Sequence, residues 1–285
     1  MENSPVWFIT GASSGFGSAL AQAALKAGNR VIAAARNIEK SKREIPQIEE
    51  LGGKWLQLDV TASDVREKVQ RIVQEYGKID VVINSAGYAL FGALDDVSES
   101  EIHQQFNTNV YGPIRVLQAV IPSMRERKSG TIVNISSVAG LDAQTACSMY
   151  AGSKFALEGI SESLSRDLAP FNIRVLIVEP GVFRTKFATA LQTPAAGTTK
   201  AYEGTPLHDS LQRFLVLDGK QPGDPAKAIE RIMEVINGTG MGEGKTGYLR
   251  LPLGLDCVQR TEQKIASLQQ NFAAMQEIAA STNFD

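Results

Sequence analysis

Apolar residues recur along the first two thirds of the chain in short, β-branched runs, and longer amphipathic stretches separate them. Val6–Thr10, Arg30–Ala35, Trp55–Leu58, Asp80–Asn84, Thr131–Ser136 and Arg174–Val178 read as strands. Their nearly continuous apolar character is that of strands covered on both faces. The stretches Gly15–Gly28, Ala62–Tyr76, Glu99–Met124 and Met149–Leu168 have helical length and periodicity. Thr61 followed by Asp64 has the spacing of a capping box opening the second of these. Such alternation predicts an α/β fold: a doubly wound, Rossmann-like parallel sheet with helices on both faces, as a single domain over 1–285.

The pattern loosens after Pro180. An insert at about 186–224 contains Thr193-Pro-Ala-Ala-Gly-Thr-Thr, then Leu207, Leu211, Phe214 and Leu215 at helical spacing. A short amphipathic helix in an irregular excursion, directly after the last turn at the ligand-binding edge, predicts a substrate lid; a packed surface excursion is the alternative. Pro225 suits the first turn of a helix reaching Ile236, and Thr246–Leu251 reads as a final strand. Val258–Ala280 reads as a helix within a C-terminal extension at about 256–285.

Composition narrows the function classes. A net charge of −2 without clustered Lys or Arg gives no footprint for nucleic acid or an anionic membrane. The apolar runs are strand-sized, short of the ~20 residues that span a bilayer. The first five residues lack the features of a leader, so a cytoplasmic location is expected. Cys147 and Cys257 have no metal-ligand spacing and read as reduced thiols, with one disulfide as the alternative; no metal is expected.

The first strand runs into Thr10-Gly11-Ala12-Ser13-Ser14-Gly15-Phe16-Gly17 and then an alanine-rich helix. Glycines let the backbone turn tightly and approach a pyrophosphate, and the helix start offers free N–H groups to it. Between a buried strand and an apolar helix this reads as a dinucleotide turn. The end of the second strand, where an acid would bind a ribose 2′-hydroxyl, carries Arg36-Asn37 and no carboxylate. A guanidinium suits a 2′-phosphate, so NADP(H) is expected over NAD(H).

Tyr150 and Lys154 stand four residues apart in a predicted helix and share a face. Such a pair arises by chance roughly 0.3 times in a chain of this composition, so its weight comes from its neighbours. The chemistry is apt. A phenol of pKa ~10 needs about 4 kcal/mol to fall three units, which one cation about 4 Å away supplies at an effective dielectric of ~20.

These ordered motifs resemble the short-chain dehydrogenase/reductases, in their compact single-domain branch, from about Val6 to Phe187. Asp59-Val60 is similar to the family's adenine-recognising pair. Asn84-Ser85-Ala86-Gly87 is similar to its Asn-Asn-Ala-Gly motif, departing at Ser85, with Asn84 as the cofactor-facing position. Asn109 aligns with the helix asparagine, Ser137 with the catalytic serine thirteen residues before Tyr150, and Tyr150-Ala-Gly-Ser-Lys154 with the catalytic signature. Pro180-Gly181-Val182-Phe183-Arg184-Thr185 aligns with the segment that closes over the nicotinamide.

The resemblance implies the roles. Tyr150 exchanges a proton with the substrate oxygen, Ser137 holds that oxygen, Lys154 lowers the phenol pKa and binds the nicotinamide ribose, and Asn109 holds a relay water. Thr185 and the Val182 backbone bind the carboxamide. Ser137, Ala139, Leu141, Cys147, Tyr150 and Phe187 are expected to meet the substrate, an apolar set that suits a moderately bulky hydrophobic ketone or secondary alcohol. The implied protein is a carbonyl reductase or alcohol dehydrogenase, a homodimer or homotetramer through its long helices. A non-catalytic dinucleotide sensor or scaffold, or another reaction of the family such as epimerisation or dehydration, is the alternative.

Overall fold

The computed structural model describes residues 4–187, 191–216 and 219–284. From the N-terminus the elements are β1 (Val6–Ile9), α1 (Gly15–Lys26), β2 (Arg30–Ala35), α2 (Ile38–Glu44), α3 (Gln47–Glu50) and β3 (Lys54–Gln57). They continue with α4 (Val65–Tyr76), β4 (Val81–Asn84), β5 (Ala89–Leu90), α5 (Glu99–Phe106), α6 (Gly112–Arg127) and β6 (Gly130–Ile135). Then follow α7 (Ser148–Leu168), β7 (Ile173–Pro180), β8 (Leu191–Gln192), α8 (Pro206–Val216), α9 (Pro225–Asn237), β9 (Arg250–Leu253) and α10 (Leu255–Ala280).

Seven strands form one parallel sheet in the order β3-β2-β1-β4-β6-β7-β9, and β5 pairs with β8 in a separate ribbon. Both faces are covered, because the central strands alternate two apolar sets. In β1, Trp7 and Ile9 join Leu20, Val133 and Ile232 under α1 and α9, while Val6 and Phe8 join Val69, Val116 and Met124 under α4 and α6. The expected doubly wound fold is the one observed. The chain reverses direction across the sheet between β1 and β4, so the loops leaving these strands part and open a crevice at their C-terminal ends.

Three local expectations change. Thr61 does not cap the second helix: it donates from its N–H (2.9 Å) and hydroxyl (2.7 Å) to Asp59 Oδ1, and Asp64 is the capping position without a side-chain cap bond. The helix expected over Glu99–Met124 is two, joined by a π-turn over Asn107–Tyr111. Pro113 has no N–H to give the Asn109 carbonyl, so the ladder shifts register, with the Gly112 N–H bonding the Asn107 carbonyl. The last strand is Arg250–Leu253 rather than Thr246–Leu251. The glycine-rich approach closes turns instead, Lys245 N–H to Gly242 O (3.0 Å) and Tyr248 N–H to Lys245 O (3.2 Å), and Pro252 is tolerated on an edge strand.

Candidate active site

The crevice is a cleft of about 1550 Å³ running from Arg36 and Lys40 at one end to Leu191, Gln192 and Phe214 at the other. Its floor at the switch point is made by close backbone packing. Gly11 (φ +66°) leaves no room for a side chain, since a Cβ there would lie 2.7 Å from Ala86 Cα. Gly17 is needed for the same turn, as its Cβ would lie 2.4 Å from the Gly11 carbonyl oxygen. Gly11, Ser13, Ser14, Gly15 and Phe16 line the cleft, and Gly17 supports them from behind. The first turn of α1 holds no acid, so its positive end and N–H groups face the cleft uncompensated.

The outer end is polar. Arg36 and Asn37 line it, and Asn37 also caps α2 by accepting from Lys40 N–H (2.9 Å). Burial works to raise the Asp59 carboxyl, but the bonds from Thr61 and the charges of Arg36 and Lys68 outweigh it and hold the group below its usual range. Val60, Ala86 and Gly87 complete this wall. Asn84, expected to face the cofactor, does not. It is buried at 3% exposure in β4 and donates to Asn134 Oδ1 (2.8 Å) across the sheet, while Ser85, Ala86 and Gly87 take the cleft wall.

At the inner end α7 places Tyr150 and Lys154 on one buried face, at 6% exposure each. Burial pushes the Tyr150 phenol up to about 12, although its hydrogen bond with Ser137 pulls the other way. Burial brings the Lys154 ammonium down to about 8, against the pull of Glu158. Lys154 Nζ donates to the Ile135 carbonyl (2.8 Å) and lies 5.8 Å from the Tyr150 ring centre. The expected tuning by a cation ~4 Å away is therefore not what the protein alone provides, because desolvation of the phenol outweighs a cation held off by a backbone carbonyl. Asn109 sits behind this pair, outside the lining; its Nδ2 donates to Tyr88 O and to Ser153 Oγ (both 3.0 Å), and its Oδ1 accepts from Tyr88 N–H (3.2 Å).

Ser137 lies two residues past β6 and caps a 3₁₀ turn over Val138–Gly140, its hydroxyl accepting from Ala139 N–H (3.1 Å). That turn brings Val138 and Ala139 to the wall and leaves Leu141, which closes it by donating to Val138 O (3.1 Å), outside the lining. Cys147 lines the cleft as a wall: its S–H donates to Gln144 O (2.9 Å) and burial raises the thiol. Both cysteines are free and buried, which settles the disulfide alternative. Phe187 lies with its ring 6.1 Å from that of Tyr150. Pro180, Gly181, Val182 and Thr185 line the cleft as expected.

Sequence reasoning missed several residues here. Phe91 packs edge-on against Tyr150 (5.8 Å) and at a tilt against Phe214 of α8 (4.4 Å), joining β5 to the insert; an apolar residue just past the Asn84–Gly87 motif was its only signal. Leu207, Leu211 and Phe214 do turn one face of α8 onto this cluster, while the Leu215 side chain lies outside the described residues. Asp256 Oδ2 accepts from Val182 N–H (2.9 Å). Behind Ser137 lies a buried charge cluster. Ser136 Oγ donates to Glu158 Oε1 (2.6 Å), and Arg250 bonds Glu158, Glu179 (2.6 Å) and Glu162 (3.3 Å). A carboxylate four residues after Lys154, on the same helix face, was the available signal.

A dinucleotide fits this cleft: the glycine cradle, the open helix start and the Arg36 end stand in line with the Tyr150 end. Among the described residues, Gln221 Oε1 is buried at the inner wall without a hydrogen-bond partner, an acceptor awaiting a ligand N–H. No helix among the described residues is long and apolar enough to cross a membrane.

Comparison with known proteins agrees with this geometry. The chain is 49% identical to the oxidoreductase claN of Passalora fulva over 207 residues, 73% of this chain and 94% of that protein. It is 42% identical to a 3-ketodihydrosphingosine reductase of Bacteroides thetaiotaomicron over 180 residues, 63% of this chain and 64% of the relative. A short-chain dehydrogenase structure from Streptomyces avermitilis superposes with a TM-score of 0.87 at 36% identity, covering 98% of this chain and 100% of that one. An actinorhodin polyketide ketoreductase solved with NADPH gives 0.72 at 26%, covering 89% and 97%, while a fold neighbour from Burkholderia phymatum at 21% identity carries NAD. The family profile described as short chain dehydrogenase matches residues 5–195. The chain belongs to the short-chain dehydrogenase/reductase family of oxidoreductases.

Proposed function

We propose that this protein is an NADP(H)-dependent carbonyl reductase acting on a moderately bulky, apolar ketone, with Tyr150 as the proton donor. One observation carries the reading: a buried phenol at about 12, bonded to Ser137 and enclosed by Phe91, Phe187 and Phe214, at the inner end of a dinucleotide-shaped cleft. Such a phenol keeps its proton at physiological pH, so the form present is the donor that reduction of a carbonyl needs. When bound, a nicotinamide cofactor would supply the hydride that the carbonyl carbon takes up. Ser137 and Tyr150 hold the carbonyl oxygen, and Tyr150 Oη gives it a proton as negative charge develops there. Lys154 and the buried back wall around Asn109 re-supply that proton. Gly11, Ser13, Ser14, Gly15 and Phe16 would cradle the pyrophosphate, Asp59 and Val60 the adenine, and Thr185, Val182 and Gln221 the carboxamide.

Arg36, with no acid beside it at the strand end, supports a 2′-phosphate, and the NADPH-bound ketoreductase is in keeping with that. The reductase relative that acts on 3-ketodihydrosphingosine, by its name, supports a ketone carried on apolar substance. The insert from 186 onward acts as the cover of this pocket. Its entry is fastened by Phe91 N–H to Gln192 O (2.9 Å), Ala195 N–H to Glu101 (2.8 Å) and Tyr202 Oη to Asp95 (2.7 Å), and α8 packs Leu207, Leu211 and Phe214 onto the pocket. Tyr111 and Phe155, exposed at 49% and 41%, suit a contact between two copies along the π-turn and α7. The reduced, buried thiols suit the cytoplasm.

The test is NADPH consumption with a panel of ketones of increasing apolar bulk. Tyr150→Phe is expected to lower turnover by about 10²–10⁴-fold while cofactor binding, followed by NADPH fluorescence, is kept. A variant that keeps wild-type turnover ends this reading.

A further inference from the structure

We propose that α10 pairs with the α10 of a second copy of this chain, through the stripe Ile265, Leu268, Phe272 and Met275. The helix has two parts. Its root is docked: Cys257 is fully buried and donates to Glu179 O (3.1 Å), Asp256 holds Val182 N–H (2.9 Å), and Arg260 bonds Asp142 (2.8 Å). Beyond Lys264 every described residue, through Phe284, is exposed. The free part, Ile265–Ala280, is about 24 Å long at 1.5 Å per residue. A helix of that length alone in water is marginal, and its stability calls for a surface to pack against.

The sequence of the free part says which surface. Val258, Thr261, Ile265, Leu268, Phe272, Met275 and Ala279 follow one another at alternating steps of four and three, the 3.5-residue repeat by which two helices pack along a seam. The four central residues are 50%, 56%, 69% and 57% exposed. No charged residue occurs from Ile265 to Gln276, and no Lys or Arg after Lys264. An interfacial membrane helix would need basic residues on its polar face, and an acidic partner would need them too. A second copy needs neither, because its flank of Gln269, Asn271 and Gln276 is uncharged and meets its own image without repulsion. Pairing over this length buries on the order of 1,000 Å² in total, near the lower bound for a specific contact. Through Asp256 the pairing also steadies the segment around Val182 that lines the cleft.

The experiment is light scattering and sedimentation of the full chain against the double variant Leu268→Glu, Phe272→Glu. Both residues are solvent-exposed, and an unchanged circular dichroism melt of the body controls for folding. The subunit number is expected to fall two-fold in the variant. An unchanged subunit number, or a wild type that is already a monomer at 50 µM (roughly a hundred-fold above the protein levels of routine assays), overturns the proposal. Flotation with phosphatidylcholine vesicles is measured in parallel. Vesicle binding that the double variant abolishes, with its mass unchanged, assigns the stripe to lipid and also overturns it.

Discussion

Replacing Arg250 by methionine tests whether the charge cluster behind Ser137 is a support of the active site. The Glu158 and Glu179 carboxylates are 3% and 1% exposed, and Arg250 is the cation bonded to both. Withdrawing one partner of a buried ionic set costs about 3–5 kcal/mol, because the remaining charge keeps its desolvation penalty without its compensation. At roughly 2–4 °C per kcal/mol in a chain of this size, the melting temperature falls by about 10 °C at pH 8. The loss depends on pH, with a definite sign. Burial, and then the neighbouring Glu158, raise Glu179 to about 7, so the folded state binds a proton more tightly than the unfolded one. Its contribution is complete below the unfolded value near 4.5 and is lost as pH rises through about 7, a change of about 3 kcal/mol. Without Arg250 the carboxyl rises further, so the variant loses more at pH 8 than at pH 5.5. Melts followed by circular dichroism at the two pH values decide the matter. A fall below about 3 °C at pH 8, or equal falls at both, refutes the reasoning.

Other expectations use the same geometry. On the proposed NADP(H) assignment, Arg36→Glu would remove a charge-assisted bond of about 1.5–3 kcal/mol and add repulsion, so kcat/KM with NADPH is expected to fall on the order of 10²-fold while NADH is spared; equal losses with both cofactors contradict the assignment. The Lys154 ammonium, at about 8, loses its proton long before Tyr150 at about 12, so kcat/KM for reduction is level below pH 8 and declines above it; a profile level to pH 10 contradicts this. Gly181→Ala places a Cβ 2.2 Å from Asp256 Oδ1 and displaces the carboxylate that holds Val182 N–H. We expect a stability loss of about 1–3 kcal/mol and weaker NADPH binding by fluorescence titration; unaltered binding argues against a role for that contact.

Much of the candidate site was legible because it is local. The glycine turn, the Tyr150–Lys154 spacing and Ser137 just past a strand each lie within one element or one loop, and short-range backbone rules fix them. Asn84 stands differently from what the family resemblance implies: β6 alongside, with Asn134, makes it a sheet cross-tie. Leu141 failed likewise, since a single 3₁₀ turn decides which of three neighbours faces the cleft. The break in the helix after Phe106 could have been read from Pro113, whose missing N–H bears on the Asn109 carbonyl.

By itself the sequence determined the alternation of strands and helices, the glycine turn and the tyrosine–lysine pair on one helix face, because each is written in residues near one another and enforced by backbone sterics and periodicity. Tertiary structure alone decided what surrounds them. Phe91 and Phe214 meet 123 positions apart only because β5 pairs with β8. Glu158, Glu179 and Arg250 meet only because α7, β7 and β9 are neighbours in space. Burial then sets the protonation of Tyr150 and Lys154. Desolvation depends on everything packed around a group, and no stretch of sequence contains that information.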